Sequence, residues 1–265
     1  MTTTRPAVRT ELDQGVALVI LDRQEAANAM DGEITDALLA TVRSVRDSSA
    51  VRAMVLTGAG AAFSGGGDVA TIRSMQDPGV RAAVLGAHTE LFWEMTRLPF
   101  PSVAAVNGAA VGAGVTIALL CDLVVMAEDA FFSDPRVALG LLDGAGGLLL
   151  WPLLTSLSAA REHLLLGDRV SAAEAHRLGL ANRVTAKPDV LAEAMSLAHR
   201  LAELPAAAVR ETRRLLNLQV EQAAVMLEEC SRAESNLFDT PEHRLLVERL
   251  SRRLASGKRA QARDS

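Results

Sequence analysis

Apolar runs and helically spaced apolar positions alternate along the first part of this chain. Val16 to Leu21 is apolar throughout and stops at Asp22, which predicts a buried strand. Asp31 then offers an N-cap, and Ile34, Leu38, Val42 and Val45 recur at helical spacing. Arg52 to Gly58 reads as a second strand, followed by a loop over Ala59 to Gly67 and a short helix capped by Asp68. Val80 to Arg97 is helical, with Val84, His88, Leu91 and Met95 on one face. Ser102 to Asn107 is a third strand, Gly112 to Leu120 a helix and Leu123 to Met126 a fourth strand. Beyond about residue 150 the pattern becomes helical only, over Ala159–Leu166, Ala172–Leu178, Val190–Ala202, Ala206–Leu216, Gln219–Ser235 and Pro241–Leu254.

The uncharged run Pro99 to Cys121 is long enough to imitate a membrane span. It contains Pro101, Asn107, Gly108, Gly112 and Gly114, so it reads as a buried strand followed by a buried helix. The fold class expected is α/β, a strand-and-loop core over residues 1–200 followed by a helical region over 201–265.

Composition narrows the function. With 27 Lys plus Arg against 32 Asp plus Glu, the chain carries a formal charge of −5, which argues against general nucleic-acid binding. Six Phe, two Trp and no Tyr leave few platforms for stacking bases and remove the phenol from the possible acids and bases. Cys121 and Cys230 are far apart and read as reduced thiols of a cytoplasmic protein; no metal site is expected. Met1 to Gln14 is polar and shows no signal peptide. The stretch His243 to Ser265 is basic, through Arg244, Arg249, Arg252, Arg253, Lys258, Arg259 and Arg263; it reads either as a solvated helix or as a tail that contacts phosphates.

Glycine carries the remaining signal. Gly58-Ala59-Gly60 begins like a dinucleotide fingerprint, but its third glycine position is Phe63, and the chain contains no phosphate loop. Two clusters sit between strand and helix: Phe63-Ser64-Gly65-Gly66-Gly67-Asp68, and Asn107-Gly108 with Gly112-Ala113-Gly114. Bare N–H groups there suit an anionic oxygen, whereas tight turns and close packing would also require glycine; the residues alone leave both readings open.

The same residues belong to a wider set. Leu21-Asp22-Arg23 with Asn28, Val55 to Gly60, Phe63-x-x-Gly66-x-Asp68, Ala104 to Gly108, Cys121-Asp122, Gly144 to Gly147, Leu166-Gly167-Asp168 and Gly179 to Val184 together resemble the crotonase, or enoyl-CoA hydratase/isomerase, superfamily over nearly the whole chain. The resemblance implies a spiral of ββα units with a helical C-terminal trimerisation region, assembled as a homotrimer or a dimer of trimers. It implies an acyl-CoA substrate, with coenzyme A part of the substrate rather than a bound cofactor. It also implies an enolate held by two backbone N–H groups, at the positions of Gly67 and Ala113, and CoA lying along Glu25, Ala26, Gly65, Gly67, Val69 and Ala70. Relatives often carry lysine at the positions of Glu25 and Ala70; Arg73 or the basic C-terminal helix would have to replace them.

A hydratase of this superfamily uses two glutamates, and their positions here hold Thr116 and Arg136. Neither is a general base near neutral pH. Isomerisation or another enolate reaction is therefore expected over hydration, with Asp143 as the catalytic acid/base; the competing reading of Asp143 is a turn or cap before Gly144. Asp134 is placed to pair with Arg136, His88 faces either core or pocket, Asp68 reads as a cap, and Phe132 and Trp151 as core or pocket wall. Two alternatives remain: a β-diketone hydrolase of the same superfamily, and a catalytically silent acyl-CoA-binding paralogue.

Overall fold

Two sheets, wound by one repeated path, place the glycine loops side by side. The computed structural model describes residues 6–261, with side chains as far as Arg252. The larger sheet takes β1 (Val8–Asp13), β2 (Val16–Leu21), β3 (Ala53–Gly58), β5 (Ser102–Val106), β7 (Leu123–Ala127) and β10 (Arg183–Thr185), in that spatial order. The smaller takes β4 (Ala62–Ser64), β6 (Ala109–Val111), β8 (Phe131–Ser133) and β9 (Val170–Ser171). Each of the pairs β3–β4, β5–β6 and β7–β8 sends its first strand to the large sheet and its second to the small one. All three join parallel neighbours in both sheets, so the chain advances as a spiral.

Helices follow each turn of the spiral: α1 (Gly32–Asp47) after β2, α2 (Val69–Ser74) and α3 (Pro78–Thr96) after β4, α4 (Ala113–Leu119) after β6, and α5 (Gly147–Leu154) after β8. They cover the sheets, and every residue of β2, β3 and β5 is buried, which is why these strands read as continuous apolar runs. The uncharged run 99–121 becomes β5, β6 and α4, and no helix among the described residues is long and apolar enough to cross a membrane. Asp31 and Asp68 cap α1 and α2 as read, accepting from the N–H groups of Ile34 at 3.0 Å and Thr71 at 2.5 Å.

α6 (Leu157–Leu166), α7 (Ala172–Leu178) and α8 (Val190–Glu203) complete this part. Beyond it run α9 (Ala206–Gln222), α10 (Ala224–Leu237) and α11 (Pro241–Gln261). Arg213 pins α9 to the spiral. Its guanidinium is buried, donates to the Met95, Thr96 and Leu98 carbonyls and pairs with Asp122 at 2.8 Å, so four of its five N–H groups find an acceptor in the protein. Arg81 of α3 makes a two-pronged pair with Asp239 at 2.9 and 3.1 Å, which ties the α10–α11 turn over the cavity.

The sequence reading contains none of the short strands β4, β6, β8, β9 and β10, and it differs from this fold in three further places. β1 was not expected, because an edge strand with one covered residue at its start shows no apolar alternation. α5 was not read at all, although it buries Trp151. The break between α9 and α10 falls at Ala223 rather than between Leu216 and Gln219. Of the basic C-terminal residues, the side chains of Arg253, Lys258, Arg259 and Arg263 lie outside the described residues.

Candidate active site

The two glycine clusters meet. Gly66 has φ +79°, and a Cβ there would lie 2.4 Å from the Val111 carbonyl oxygen, so the β4–α2 loop closes directly on the β6–α4 loop. A Cβ at Gly114 would likewise lie 2.7 Å from the Ser64 carbonyl oxygen. Most N–H groups in these loops are consumed by the fold. Gly65 donates to the Ala27 carbonyl at 2.8 Å, Gly66 to Ser64 Oγ at 3.3 Å and Gly112 to the Ser133 carbonyl at 2.9 Å. Gly67 follows the first set and Ala113 opens α4, and neither N–H has a partner among the described residues. Both residues line one cavity of about 100 Å³, together with Met30, His88, Arg136 and Glu234.

The predicted CoA positions border that cavity unevenly. Gly65 and Gly67 line it, whereas Glu25, Ala26, Val69 and Ala70 do not. Glu25 and Ala70 are exposed. Asn28 holds the Glu25–Ala26 turn against the same loops: its amide donates to the Ala59 and Ala62 carbonyls, both at 2.9 Å. Arg73 lies elsewhere, in a groove of about 750 Å³ that it shares with Arg244 and Arg252.

The other side of the cavity is ionic. Arg136 occupies the wall where the resemblance placed a glutamate. Asp134 grips it twice, at 2.7 and 2.8 Å, and Asp143 Oδ2 reaches it at 2.6 Å. Burial works against this guanidinium's charge, but Asp134 and Asp143 outweigh it and hold the group above its ordinary range. Thr116, at the other glutamate position, donates to Asp143 Oδ2 at 3.0 Å. Asp143 Oδ1 accepts from the Ala145 N–H at 2.9 Å, which is the turn reading of this residue. Asp143 does not line the cavity; it sits behind Arg136, 3% exposed, with both oxygens engaged. Burial pushes its carboxyl up to about 6, against the pull of Arg136.

His88 lines the cavity, as one of its two readings required, with Nε2 buried and unpartnered. Burial, helped by Arg136, holds the imidazole down to about 4, so it is neutral at neutral pH. Asp68 acts as the cap, and Phe132 and Trp151 are fully buried.

One residue was missed. Glu234 of α10 reaches the cavity from the C-terminal helices, 6% exposed, and its Oε2 accepts the Gly144 N–H at 3.0 Å. The signal was present: with Leu227 and Cys230 it forms the buried face of α10, a carboxylate on an apolar stripe. Burial pushes this carboxyl up to about 8, despite Arg136.

Comparison with known proteins gives the family. The family model for enoyl-CoA hydratase/isomerase matches residues 11–251. The chain is 31% identical over 223 residues to the mitochondrial enoyl-CoA hydratase of Pongo abelii, covering 84% of this chain and 75% of that one. It is 30% identical over 209 residues to the short-chain-enoyl-CoA hydratase of Clostridium acetobutylicum, covering 78% of this chain and 79% of that one. A crystal structure of an enoyl-CoA hydratase/isomerase from Mycobacterium paratuberculosis is 37% identical, with TM-score 0.88 over 93% of this chain and 99% of that one. A spiral of this topology, the paired glycine loops and a match along nearly the whole chain have one reading: this protein belongs to the enoyl-CoA hydratase/isomerase family of enzymes.

Proposed function

We propose that the cavity receives the thioester carbonyl of an acyl-CoA and stabilises its enolate between the N–H groups of Gly67 and Ala113. The observation that carries this is the pair of unpartnered N–H groups lining one cavity, beside Gly65, Gly66 and Gly112, whose N–H groups the fold consumes. Each such donor is worth about 2.7–4 kcal/mol of transition-state stabilisation, because it is aimed before the charge develops. Ala113 supports the reading as well as a glycine would, since only its N–H is used.

The ionic wall argues for the reaction class. Hydration by paired carboxylates requires one to activate water and the other to deliver a proton. Thr116 is bound to Asp143, and Arg136 stays protonated. Isomerisation or another enolate reaction fits better. Asp143 serves that chemistry from one step back, holding Arg136 and Thr116 in place. Coenzyme A enters as part of the substrate. With Glu25 and Ala70 at the positions where relatives often carry lysine, we assign its phosphates to the groove of Arg73, Arg244 and Arg252. We assign the homotrimer, alone or doubled, to the apolar face around Leu142, Leu148, Leu157, Leu165 and Met226.

A panel of saturated acyl-CoA thioesters in D2O tests the reading. Deuterium should enter at the α-carbon. Turnover of a cyclic β-diketone without CoA binding would instead identify a hydrolase, and CoA binding with no exchange a silent paralogue.

A further inference from the structure

We infer that Glu234 carries the proton to and from the α-carbon of the bound thioester. The inference rests on the enolate reading above and assigns the group that reading leaves unnamed.

Elimination within the cavity comes first. Asp143 has both oxygens engaged and no place on the wall. Thr116 gives its proton to Asp143, and Arg136 is committed to Asp134 and Asp143. His88 is neutral and too weakly basic to hold a proton there. Glu234 differs from all of these. It lines the same cavity as Gly67 and Ala113, and the Gly144 N–H occupies only Oε2. Oε1 has no hydrogen-bond partner among the described residues, and it is not among their fully buried, partnerless atoms.

The charges facing Glu234 are Arg136, Asp143 and Asp134 from the 134–143 segment, with His88 on α3 and Cys230 on its own helix. Burial disfavours the charged form of Glu234 first, and the one guanidinium that would offset this already faces two carboxylates, so the resting residue is the acid. Because Oε2 accepts the Gly144 N–H, the proton sits on Oε1.

The step balances without a second group. The Oε1–H bond breaks, the electron pair of the enolate double bond forms the new C–H bond at the α-carbon, and the thioester C=O is restored as Glu234 becomes a carboxylate. In reverse, the carboxylate takes the α-proton. Returning it at the γ-carbon of an unsaturated chain shifts the double bond, so one carboxyl suffices for an isomerase where hydration would need two.

The test uses the full chain and the same acyl-CoA panel. Glu234→Gln keeps an acceptor for the Gly144 N–H and removes the exchangeable acid. Deuterium exchange should fall on the order of 10²–10⁴-fold, with thioester affinity by calorimetry unchanged. Exchange in the wild type should rise with pH through about 8, as the carboxylate form accumulates, and this rise should be absent in the variant. A second readout needs no activity. A carboxyl raised in the folded state favours folding below its unfolded value and loses that advantage as pH climbs through about 8, so the wild type should lose stability over this range relative to Glu234→Gln. Exchange at the wild-type rate in Glu234→Gln overturns the inference and leaves the enolate reading standing, the more so if Asp143→Asn abolishes exchange. Loss of thioester binding together with exchange also overturns it, since Glu234 would then be structural. A wild type that binds the panel and exchanges nothing overturns both.

Discussion

The two sides of the cavity are made of different material. One side is backbone: Gly67 and Ala113 contribute N–H groups, and the loops that carry them are locked by Gly66 against Val111. The other side is charge: Arg136 and Glu234 line it, Asp134 and Asp143 stand behind Arg136, and the contact between Gly144 and Glu234 spans 90 positions of sequence. The backbone side is indifferent to side-chain identity, provided the N–H survives. The charged side is a single network, in which Arg136, Asp143 and Glu234 shift one another's proton affinity. Replacements should therefore act locally on the first side and collectively on the second.

The largest effect is expected where the charged side loses the guanidinium of Arg136. Arg136→Met leaves Asp134 and Asp143, both under 5% exposed, without their guanidinium. Urea unfolding should show a loss of about 3–5 kcal/mol at pH 7. The loss should shrink at pH 5, because Asp143 is already pushed up to about 6 and would be neutral there. An equal loss at both pH values would mean that Arg136 matters for packing alone.

The backbone side breaks differently. Gly67→Pro removes one N–H and no fold hydrogen bond, so α-proton exchange should fall by about 10²–10³ while the protein stays folded. Gly67→Ala keeps the N–H, and the nearest atom to its Cβ would be Ile72 Cγ1 at 3.9 Å, so the alanine variant should exchange at close to the wild-type rate. If alanine costs as much as proline, the cavity depends on space at residue 67 and not on its donor.

This contrast also explains what the sequence could disclose. Backbone sites leave local marks. Glycines that must approach another chain segment cluster next to a strand end, and Asp68 stands at cap position right after them. The buried strands β2, β3 and β5 are apolar at nearly every position and were legible for the same reason. The three-residue strands β4, β6 and β8 are too short to show a period of two, so the second sheet was invisible. The charged side leaves no local mark, because its members are ordinary polar residues until folding joins them. Asp134 and Arg136 were legible as neighbours, and Asp143 as a carboxylate before glycines. Its enclosure behind Arg136 was not, since that depends on Thr116 coming from α4. Glu234 sat on the buried stripe of α10, but nothing in the helix says which surface that stripe covers.

The smallest expected effect lies at the seam between the local and the collective, at Asp68. It is a carboxylate residue next to Gly67, which lines the cavity, so its position in the chain alone assigns it to neither side. Its carboxylate accepts the Thr71 N–H at 2.5 Å, which makes it the cap of a six-residue helix. A cap is replaceable by any side chain with an acceptor at the same reach, whereas a base is replaceable only by another base. Asp68→Asn should therefore leave both stability and exchange unchanged, and Asp68→Ala should cost about 1 kcal/mol of stability. Exchange should follow the Ala variant only as far as a loosened α2 lets the Gly67 peptide turn. An Asn variant that folds normally but loses exchange would move Asp68 to the chemical side of the cavity and leave Glu234 with a competitor. An Ala variant with undiminished stability would show that α2 is held by its packing against α11 rather than by its cap.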